Sequence, residues 1–318
     1  MNIQQLEYII AIAKLRNFGQ AAETCFVTQS TLSTMVAKFE QEIGIQIFDR
    51  KTKPVSITFE GESIISFLEV ILKDIDNLNH HVSYLKGEYQ GNFKIAVIPT
   101  ISGYLFPLII DEFIKKFPSI QIEISELTTE KIIEKLEDRT LDVGILSLPI
   151  NNELFLEYPI YTEQFVLYDM QKDNKNGKIK IDDIKTSNIW LLEEGHCLRN
   201  QFINLCDLDT INCGGYKNLE YKAGSLETLI KMVKTNRGST LLPYLAKYDL
   251  SETDQSRINL FEEPVPVRKI GCVVHRHFSK NTILSKLIKI IEKKVSPLLG
   301  NIPEQLLELP PNNVFDKN

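Results

Sequence analysis

The sequence predicts a multidomain protein with a winged helix-turn-helix (α with a small β wing), a long linker helix and a two-lobed α/β domain. Three observations predict this architecture. Two helical patterns precede a helix with a polar front in residues 1–58, an apolar repeat with alternating spacings of four and three follows in residues 64–85, and strands alternate with helices from residue 93 onward. These patterns are typical of a helix-turn-helix, of a paired helix and of a parallel sheet flanked by helices.

Composition indicates a protein with ordinary folded cores. Of the 318 residues, 43% are hydrophobic and 25% are charged, and the length allows two or three domains. The net charge of −6 neither supports nor excludes nucleic-acid binding, because phosphate contacts depend on local basic patches. The sequence has no apolar run near the roughly 18 residues of a membrane helix and no signal-peptide pattern. We therefore expect a cytoplasmic protein with no membrane partner.

The first 58 residues predict the helix-turn-helix domain. Asn17 caps a short second helix, and Thr28 caps a third helix that runs through Ile43 and stops at Gly44. In the helix-turn-helix order, the later helix enters the major groove of DNA. A plain three-helix bundle with a solvated polar face is the alternative on spacing alone. The residues predicted to face DNA are the short polar ones at the front of this helix: Thr28, Gln29, Ser30, Thr31, Ser33 and Thr34.

A basic turn follows this helix and predicts the wing. Residues 48–54 lie between two short apolar segments, and they contain Arg50, Lys51 and Lys53. A run of charges alone usually marks a solvated loop. Beside a polar-fronted helix, these three side chains are better interpreted as phosphate contacts that position the protein on DNA.

Residues 59–90 predict a long linker helix that pairs with a second copy. Its apolar positions keep alternating spacings of four and three for three heptads, which indicates a coiled-coil seam. The alternative is a helix that lies on its own domain. The seam residues are Ile64, Leu68, Ile71, Ile75, Leu78, Val82 and Leu85.

Residues 91–300 predict two α/β lobes. Strands at 93–98, 120–124 and 143–146 alternate with helical segments, and the strand at 165–168 crosses into a second lobe. A strand at 270–274 and a closing helix at 282–295 complete the domain. Two lobes joined by crossing strands form a cleft in which ligands bind. Residues 301–318 are expected to form a loosely held C-terminal tail.

Five cysteines, among them Cys197 and Cys206, lack C-x-x-C spacing, so no metal site and no cofactor are expected. In the cytosol, a cysteine pair is more often catalytic or redox-sensing than structural. If residues 197–206 are helical, the nine steps between these two thiols give a rise of about 13.5 Å and a turn of about 900°. A disulfide requires Cα atoms within roughly 7 Å. The pair could therefore bond only if this helix came apart, which predicts a switch.

The chain resembles the LysR-type transcriptional regulators over nearly its whole length. The resemblance lies in Ala21-Ala22 and residues 28–33 of the helix-turn-helix, in Phe48-Asp49-Arg50 of the wing, and in the coiled-coil segment. Residues 192–199 with Cys206, together with residues 225–229 and 241–243, look like the hydrogen-peroxide-sensing members of that family. The resemblance implies a periplasmic-binding-protein-like regulatory domain. It further implies promoter DNA, hydrogen peroxide and RNA polymerase as partners, and a homodimer that assembles into a homotetramer.

The same resemblance implies roles for individual residues. Cys197 would be the peroxidatic cysteine and Cys206 the resolving one, with their disulfide reduced again by cytosolic thiol reductants. Around the peroxide, the resemblance and the neighbouring sequence place Thr100, Thr129, His196, Arg199, Asn200 and Arg268. We expect the helix N-terminus, Arg199 and Arg268 to lower the pKa of Cys197. Asn200 departs from the aspartate that many members carry, and Cys213 is an extra thiol.

A peroxide-sensing regulator of antioxidant genes is the leading hypothesis from the sequence. A LysR-type regulator that responds to a small-molecule effector in the cleft is the nearest alternative. A thiol peroxidase would share the reactive cysteine, but it would leave the helix-turn-helix and the coiled coil unexplained. We therefore expect a regulator and not an enzyme.

Overall fold

The computed structural model describes residues 1–85, 90–171, 178–184, 188–206, 221, 223–301 and 303–311. The chain divides into two compact units, Met1–Gly87 and Glu88–Asn318. Among the residues described, no helix is long and apolar enough to cross a membrane.

The first unit confirms the predicted winged helix-turn-helix. Asn2 and Gln5 form a capping box at the start of the first helix, and Thr28 accepts a hydrogen bond from the backbone N–H of Thr31 at the start of the third. The third helix ends at Gly44, whose φ of 69° is left-handed. In order, the elements are α1 Ile3–Leu15, α2 Phe18–Thr24, α3 Gln29–Ile43, β1 Phe48–Asp49, β2 Ser56–Ile57 and α4 Phe59–Leu85, with β1 and β2 antiparallel.

The N-terminal part of helix α4 packs in the core of this unit. Ile65 and Leu68 are buried there, so Leu68 packs inside the domain and the seam prediction is wrong for this residue. Gly61 is required at the contact, because a Cβ atom would lie 2.4 Å from the carbonyl oxygen of Ile47. Further along the helix, the exposed apolar side chains include Phe67, Ile71, Leu78 and Val82.

The second unit contains the two predicted α/β lobes. The first lobe consists of β3 Gly91–Val97, α5 Pro99–Lys116, β4 Ile120–Glu126, α6 Thr129–Glu137 and β5 Val143–Leu148, and β3 pairs in parallel with both β4 and β5. The second lobe contains β7 Lys178–Ile179, α7 Cys197–Cys206, α8 Leu226–Asn236, β8 Ser239–Pro243, α9 Glu252–Gln255 and β9 Ile258–Phe261.

Two long strands join the lobes. β6 Phe155–Asp169 pairs antiparallel with β10 Val265–His275, and β10 also pairs with β5 of the first lobe. Towards its end, β6 pairs with β8 and β9 of the second lobe, which confirms the predicted crossing at residues 165–168. The closing helix α10 Asn281–Val295 packs on α5.

The expectation of a loosely held tail is wrong for residues 306–309. Strand β11 Leu306–Glu308 pairs in parallel with β10 at residues 265–267. The backbone N–H of Leu309 donates to the carbonyl of Val267 at 2.8 Å, and the Leu309 side chain is buried. Composition did not reveal this strand because its pairing partner lies about 40 residues earlier in the chain.

Candidate functional site

The thiol of Cys197 lies where two helices begin. Cys197 is the first residue of α7, and Thr129 is the first residue of α6. Their Sγ and Oγ1 atoms are 2.9 Å apart and hydrogen-bonded, across the boundary between the lobes. Gly195, with a left-handed φ of 92°, turns the chain into α7 beside the Thr128 methyl. The N-terminal end of each helix carries a partial positive charge, which favours the thiolate form of the cysteine.

A fully buried ion pair lies behind the thiol. Arg268 on β10 is directly opposite Glu163 on β6, and its Nη2 atom donates to Glu163 Oε2 at 2.9 Å. Nη1 donates to Thr100 Oγ1 at 3.1 Å in the first turn of α5. The Tyr104 hydroxyl donates to the same Glu163 oxygen at 2.9 Å, and the other oxygen accepts the backbone N–H of Leu245. Every charged atom of the pair is therefore compensated, as burial requires.

The pKa of Cys197 follows from opposing effects. Burial raises the pKa of the thiol, and this is the largest effect. The hydrogen bond with Thr129 and the positive charge of Arg268 lower the pKa, but they do not cancel the effect of burial. Arg268 thus acts in the expected direction. Arg199 instead donates from Nη1 to the carbonyl of Leu192 at 3.0 Å, so the expectation that it activates the thiol lacks support.

The raised pKa predicts a steep dependence of Cys197 oxidation on pH. Peroxide reacts with the thiolate, and below the thiol pKa the thiolate fraction grows about tenfold per pH unit. We expect the second-order rate constant for oxidation of the reduced protein to increase by about tenfold per pH unit, which is about 100-fold between pH 6 and pH 8. Rapid mixing with hydrogen peroxide, followed by alkylation and mass spectrometry of Cys197, measures it. A rate constant that is flat over this range would show that Cys197 is already ionised at neutral pH.

His196 and Asn200 flank the thiol on the chain. His196 is buried, with Nε2 3.9 Å from Glu193 Oε1, and burial lowers the pKa of its imidazole, so the ring is neutral at pH 7. Its carbonyl oxygen accepts the backbone N–H of Arg199 at 3.0 Å, in the first turn of α7. Asn200 is half-buried on the same helix. Through these contacts, His196 stabilises the first turn of α7.

Cys206 is the last residue of α7, at the opposite end from Cys197. Neither cysteine forms a disulfide with another described residue, and burial raises the pKa of Cys206 to about 12. Nine helical steps separate the two residues by about 13.5 Å, beyond the reach of a disulfide. In the folded protein, the two thiols could therefore form a disulfide only if α7 unfolded. Cys213 lies outside the described residues.

One polar side chain in the middle of α7 ties the helix to its surroundings. Gln201 is fully buried, and its Nε2 atom donates to the carbonyl of Leu309 at 2.6 Å and to Ser147 Oγ at 3.3 Å. Its Oε1 atom has no hydrogen-bond partner among the described residues. On the adjacent face, Leu198, Phe202 and Leu205 pack in the core of the second lobe. Opening α7 therefore breaks polar contacts to β5 and to the C-terminal segment.

Replacing Gln201 with leucine should ease this opening. The variant loses two hydrogen bonds, each worth roughly 1 kcal/mol, so disulfide formation should accelerate by about 30-fold while Cys197 oxidation keeps its rate. Quenched-flow alkylation separates the two steps by mass. An unchanged disulfide rate would mean that these hydrogen bonds do not limit the opening of α7.

The predicted DNA-facing residues lie together at the start of α3. Thr28 Oγ1 is hydrogen-bonded to Ser30 Oγ and to Thr31 Oγ1, and Thr34 Oγ1 donates to the carbonyl of Ser30. Gln29 is exposed beside them. These hydroxyls stay on the surface while they stabilise the first turns of the helix.

The wing contains two exposed lysines and one arginine that is hydrogen-bonded to α3. Arg50 donates to Ser33 Oγ and to Glu40 Oε2, each at 2.9 Å, and its guanidinium lies 5.0 Å from the ring centroid of Phe18. These contacts hold the wing against α3. Lys51 and Lys53 are exposed in the turn of the wing.

The sequence patterns did not point to Glu163, Tyr104 or Gln201 as residues of the site. Glu163 offered one signal, because it alternates with the large hydrophobic residues Tyr161, Phe165 and Leu167, which places it on the same face of the strand. A carboxylate in such a strand requires a buried cationic partner. Its distance of 105 residues from Arg268 hid the identity of that partner.

Comparison with known proteins assigns both units. Residues 3–62 match the bacterial regulatory helix-turn-helix protein, lysR family, and residues 86–295 match the LysR substrate binding domain. The chain belongs to the LysR family. In this LysR-family protein, α3 and the wing lie in the first matched segment, and Cys197, Thr129 and Arg268 lie in the second.

Individual LysR-family relatives extend over most of the chain. A protein named hydrogen peroxide-inducible genes activator, from Haemophilus influenzae, is 33% identical over 306 residues, which cover 95% of this chain and all of the relative. The HTH-type transcriptional regulator EstR of Acinetobacter baylyi is 34% identical over 247 residues, covering 77% and 80%. A solved structure of a full-length OxyR variant from Pseudomonas aeruginosa superposes with a TM-score of 0.69, 29% identity and coverage of 92% and 98%.

Proposed function

We propose that this LysR-family protein is a cytoplasmic hydrogen-peroxide sensor that regulates antioxidant genes through a reversible Cys197–Cys206 disulfide. One observation carries the proposal: the Cys197 sulfur is hydrogen-bonded to Thr129 at two helix N-termini, near the buried Arg268, with a second thiol at the far end of the same helix. The similarity to a hydrogen peroxide-inducible genes activator supports the same function.

The proposed reaction begins at the sulfur. The Cys197 thiolate attacks one oxygen of the peroxide, an S–O bond forms, the O–O bond breaks, and hydroxide leaves and takes up a proton. Thr129 and Arg268 stabilise the negative charge, and Thr100 holds Arg268 in place. After α7 opens, the Cys206 thiolate attacks the Cys197 sulfenic sulfur. The S–S bond forms and water is released once its oxygen is protonated.

The proposed output is a change in DNA binding. Disulfide formation rearranges α7 and the second lobe, and subunit contacts relay this change to the DNA-binding domains and to RNA polymerase. The exposed apolar side chains of α4 support a homodimer that assembles into a homotetramer. A dimer of helix-turn-helix domains implies inverted half-sites separated by helical turns of DNA. Cytosolic thiol reductants then restore the reduced state.

A second candidate function is regulation by a small-molecule effector. A cavity of about 640 Å³ lies between α5, α8 and the segment 246–254, within the range of volumes that hold small ligands. Its lining includes Thr100, Tyr104, Glu126 and Lys231.

Treating the reduced full-length protein with equimolar hydrogen peroxide tests the proposal. Disulfides are mapped by mass spectrometry, and the footprint on promoter DNA is recorded before and after treatment. We expect a Cys197–Cys206 disulfide, a changed footprint, and recovery of the original footprint with a thiol reductant.

Two other outcomes would contradict the proposal. A metabolite that shifts the footprint while both cysteines stay reduced would establish the effector-regulated alternative. Fast, sustained turnover of peroxide without affinity for DNA would instead identify a thiol peroxidase.

A further inference from the structure

Phe26 is an exposed aromatic residue in an unfavourable backbone conformation. Its side chain is 95% exposed, more than any other large hydrophobic side chain in the described part of the chain. Its φ is 56°, in the left-handed region. A bulky side chain is disfavoured in this region because its Cβ atom crowds the following carbonyl oxygen.

The turn between α2 and α3 requires this conformation. The backbone N–H of Val27 donates to the carbonyl of Ala22 at 3.0 Å, and that of Phe26 donates to the carbonyl of Glu23 at 3.1 Å. This pair of hydrogen bonds is a Schellman motif, which places Phe26 at the position where glycine is the usual residue. Ala22 and Val27 pack in the domain core, while the Phe26 ring points into solvent.

Phe26 therefore destabilises the fold through backbone strain and an exposed apolar surface, and its ring does not pack in the core to offset this cost. Single exposed apolar residues are common on protein surfaces, so exposure alone would not indicate a binding site. Backbone strain at a left-handed non-glycine residue is different, because such positions cluster at binding sites. Phe26 combines both features within the helix-turn-helix.

The position of Phe26 indicates what it binds. It precedes the Thr28 cap of α3 by two residues, and the exposed polar residues Gln29, Ser30 and Thr31 follow that cap in the first turn of the helix. Hydroxyls and amides at the start of this helix can pair with polar base edges. The major groove presents one apolar group, the 5-methyl of thymine, and phenylalanine is among the residues that contact it.

We infer that the Phe26 ring contacts a thymine methyl in each DNA half-site and is a specificity-determining residue of this protein. The inference rests on the proposed binding of DNA by α3. It does not depend on peroxide sensing.

Replacing thymine with deoxyuridine, which lacks only the methyl group, tests the inference. Duplexes are selected from random sequence with the reduced full-length protein, and each thymine is then exchanged in turn. Loss of one methyl contact should weaken wild-type binding by about threefold to tenfold at one thymine in each half-site. A Phe26→Ala protein should bind the thymine duplex more weakly by a similar factor and should not distinguish deoxyuridine at that position.

Two further variants separate binding from folding. Phe26→Gly relieves the strain, so it should raise Tm and still lose the discrimination of the methyl group. Phe59→Ala removes another highly exposed phenylalanine, at the start of α4, and should keep the discrimination.

Each of the remaining outcomes would overturn the inference. If Phe26→Ala weakens binding to thymine and deoxyuridine duplexes equally while the wild-type protein discriminates, another residue reads the methyl group. Unchanged DNA affinity with reduced transcription by RNA polymerase would assign the ring to a protein partner. A wild-type protein that selects duplexes but is insensitive to deoxyuridine refutes this inference alone. Failure to select any duplex refutes the proposed DNA binding as well.

Discussion

Replacing Cys197 with serine should abolish the response to hydrogen peroxide. A serine hydroxyl does not ionise near neutral pH, and its oxygen cannot form a sulfenic acid, so the rate of peroxide-dependent modification should fall by more than about 100-fold. The side chain is nearly isosteric and can keep the hydrogen bond to Thr129, so the fold should be retained. Footprinting of the reduced and peroxide-treated protein, with intact mass spectrometry, measures the loss.

Two matched cysteine variants make this result specific. Cys206→Ser should keep the first oxidation and stop at the sulfenic acid, which a dimedone-type reagent traps. Cys25→Ser removes a free thiol in the other compact unit and should behave as the wild-type protein does. A Cys197→Ser protein that still changes its footprint with peroxide would refute the sensor proposal.

Replacing Arg268 with methionine should damage both stability and reactivity. The variant leaves the carboxylate of Glu163 buried without its cationic partner, which typically costs about 3–5 kcal/mol. It also removes the positive charge that lowers the pKa of Cys197, so that pKa should rise further and oxidation at pH 7 should slow. Urea denaturation and the rate of Cys197 oxidation measure the two effects.

A double variant separates the two effects of Arg268. Combining Arg268→Met with Glu163→Gln removes the uncompensated charge, so much of the lost stability should return. The slow oxidation should persist, because the cationic charge near the thiol is still missing. Recovery of both stability and rate would show that Arg268 acts on Cys197 only through the fold. A destabilisation that the second substitution leaves unchanged would show that the buried carboxylate is not its cause.

The architecture could be predicted from local signals. Caps at Asn17 and Thr28, the stop at Gly44 and the alternation of strands and helices depend on neighbouring residues, and each is confirmed in the structure. The order of elements follows from these signals because helix periods and turn residues act over a few positions. The switch geometry of α7 was predictable for the same reason, since helical rise depends only on spacing.

The bounds of two elements could not be predicted as well. Helix α6 begins at Thr129, although the side chain of its capping residue Thr128 makes no capping hydrogen bond. Strand β10 extends from Val265 and therefore includes Arg268. Both bounds matter, because they determine which side chains reach the thiol. Leu68 and strand β11 were mispredicted for a related reason: periodicity and composition do not tell which surface covers an apolar residue.

The sequence by itself therefore determined the order of the elements, the helix that separates the two thiols, and the family to which the chain is similar. The resemblance implied that Thr129 and Arg268 lie near the sulfur, but only the tertiary structure decided their contacts. Thr129, 68 residues from Cys197, is hydrogen-bonded to the sulfur, and Arg268 is paired with Glu163, 105 residues away. It also decided that burial outweighs the hydrogen bond with Thr129 and the charge of Arg268 in the pKa of Cys197. The physical reason is that desolvation and ion pairing depend on distances through space, and these arise only when β6 pairs with β10 and the first residues of α6 and α7 meet.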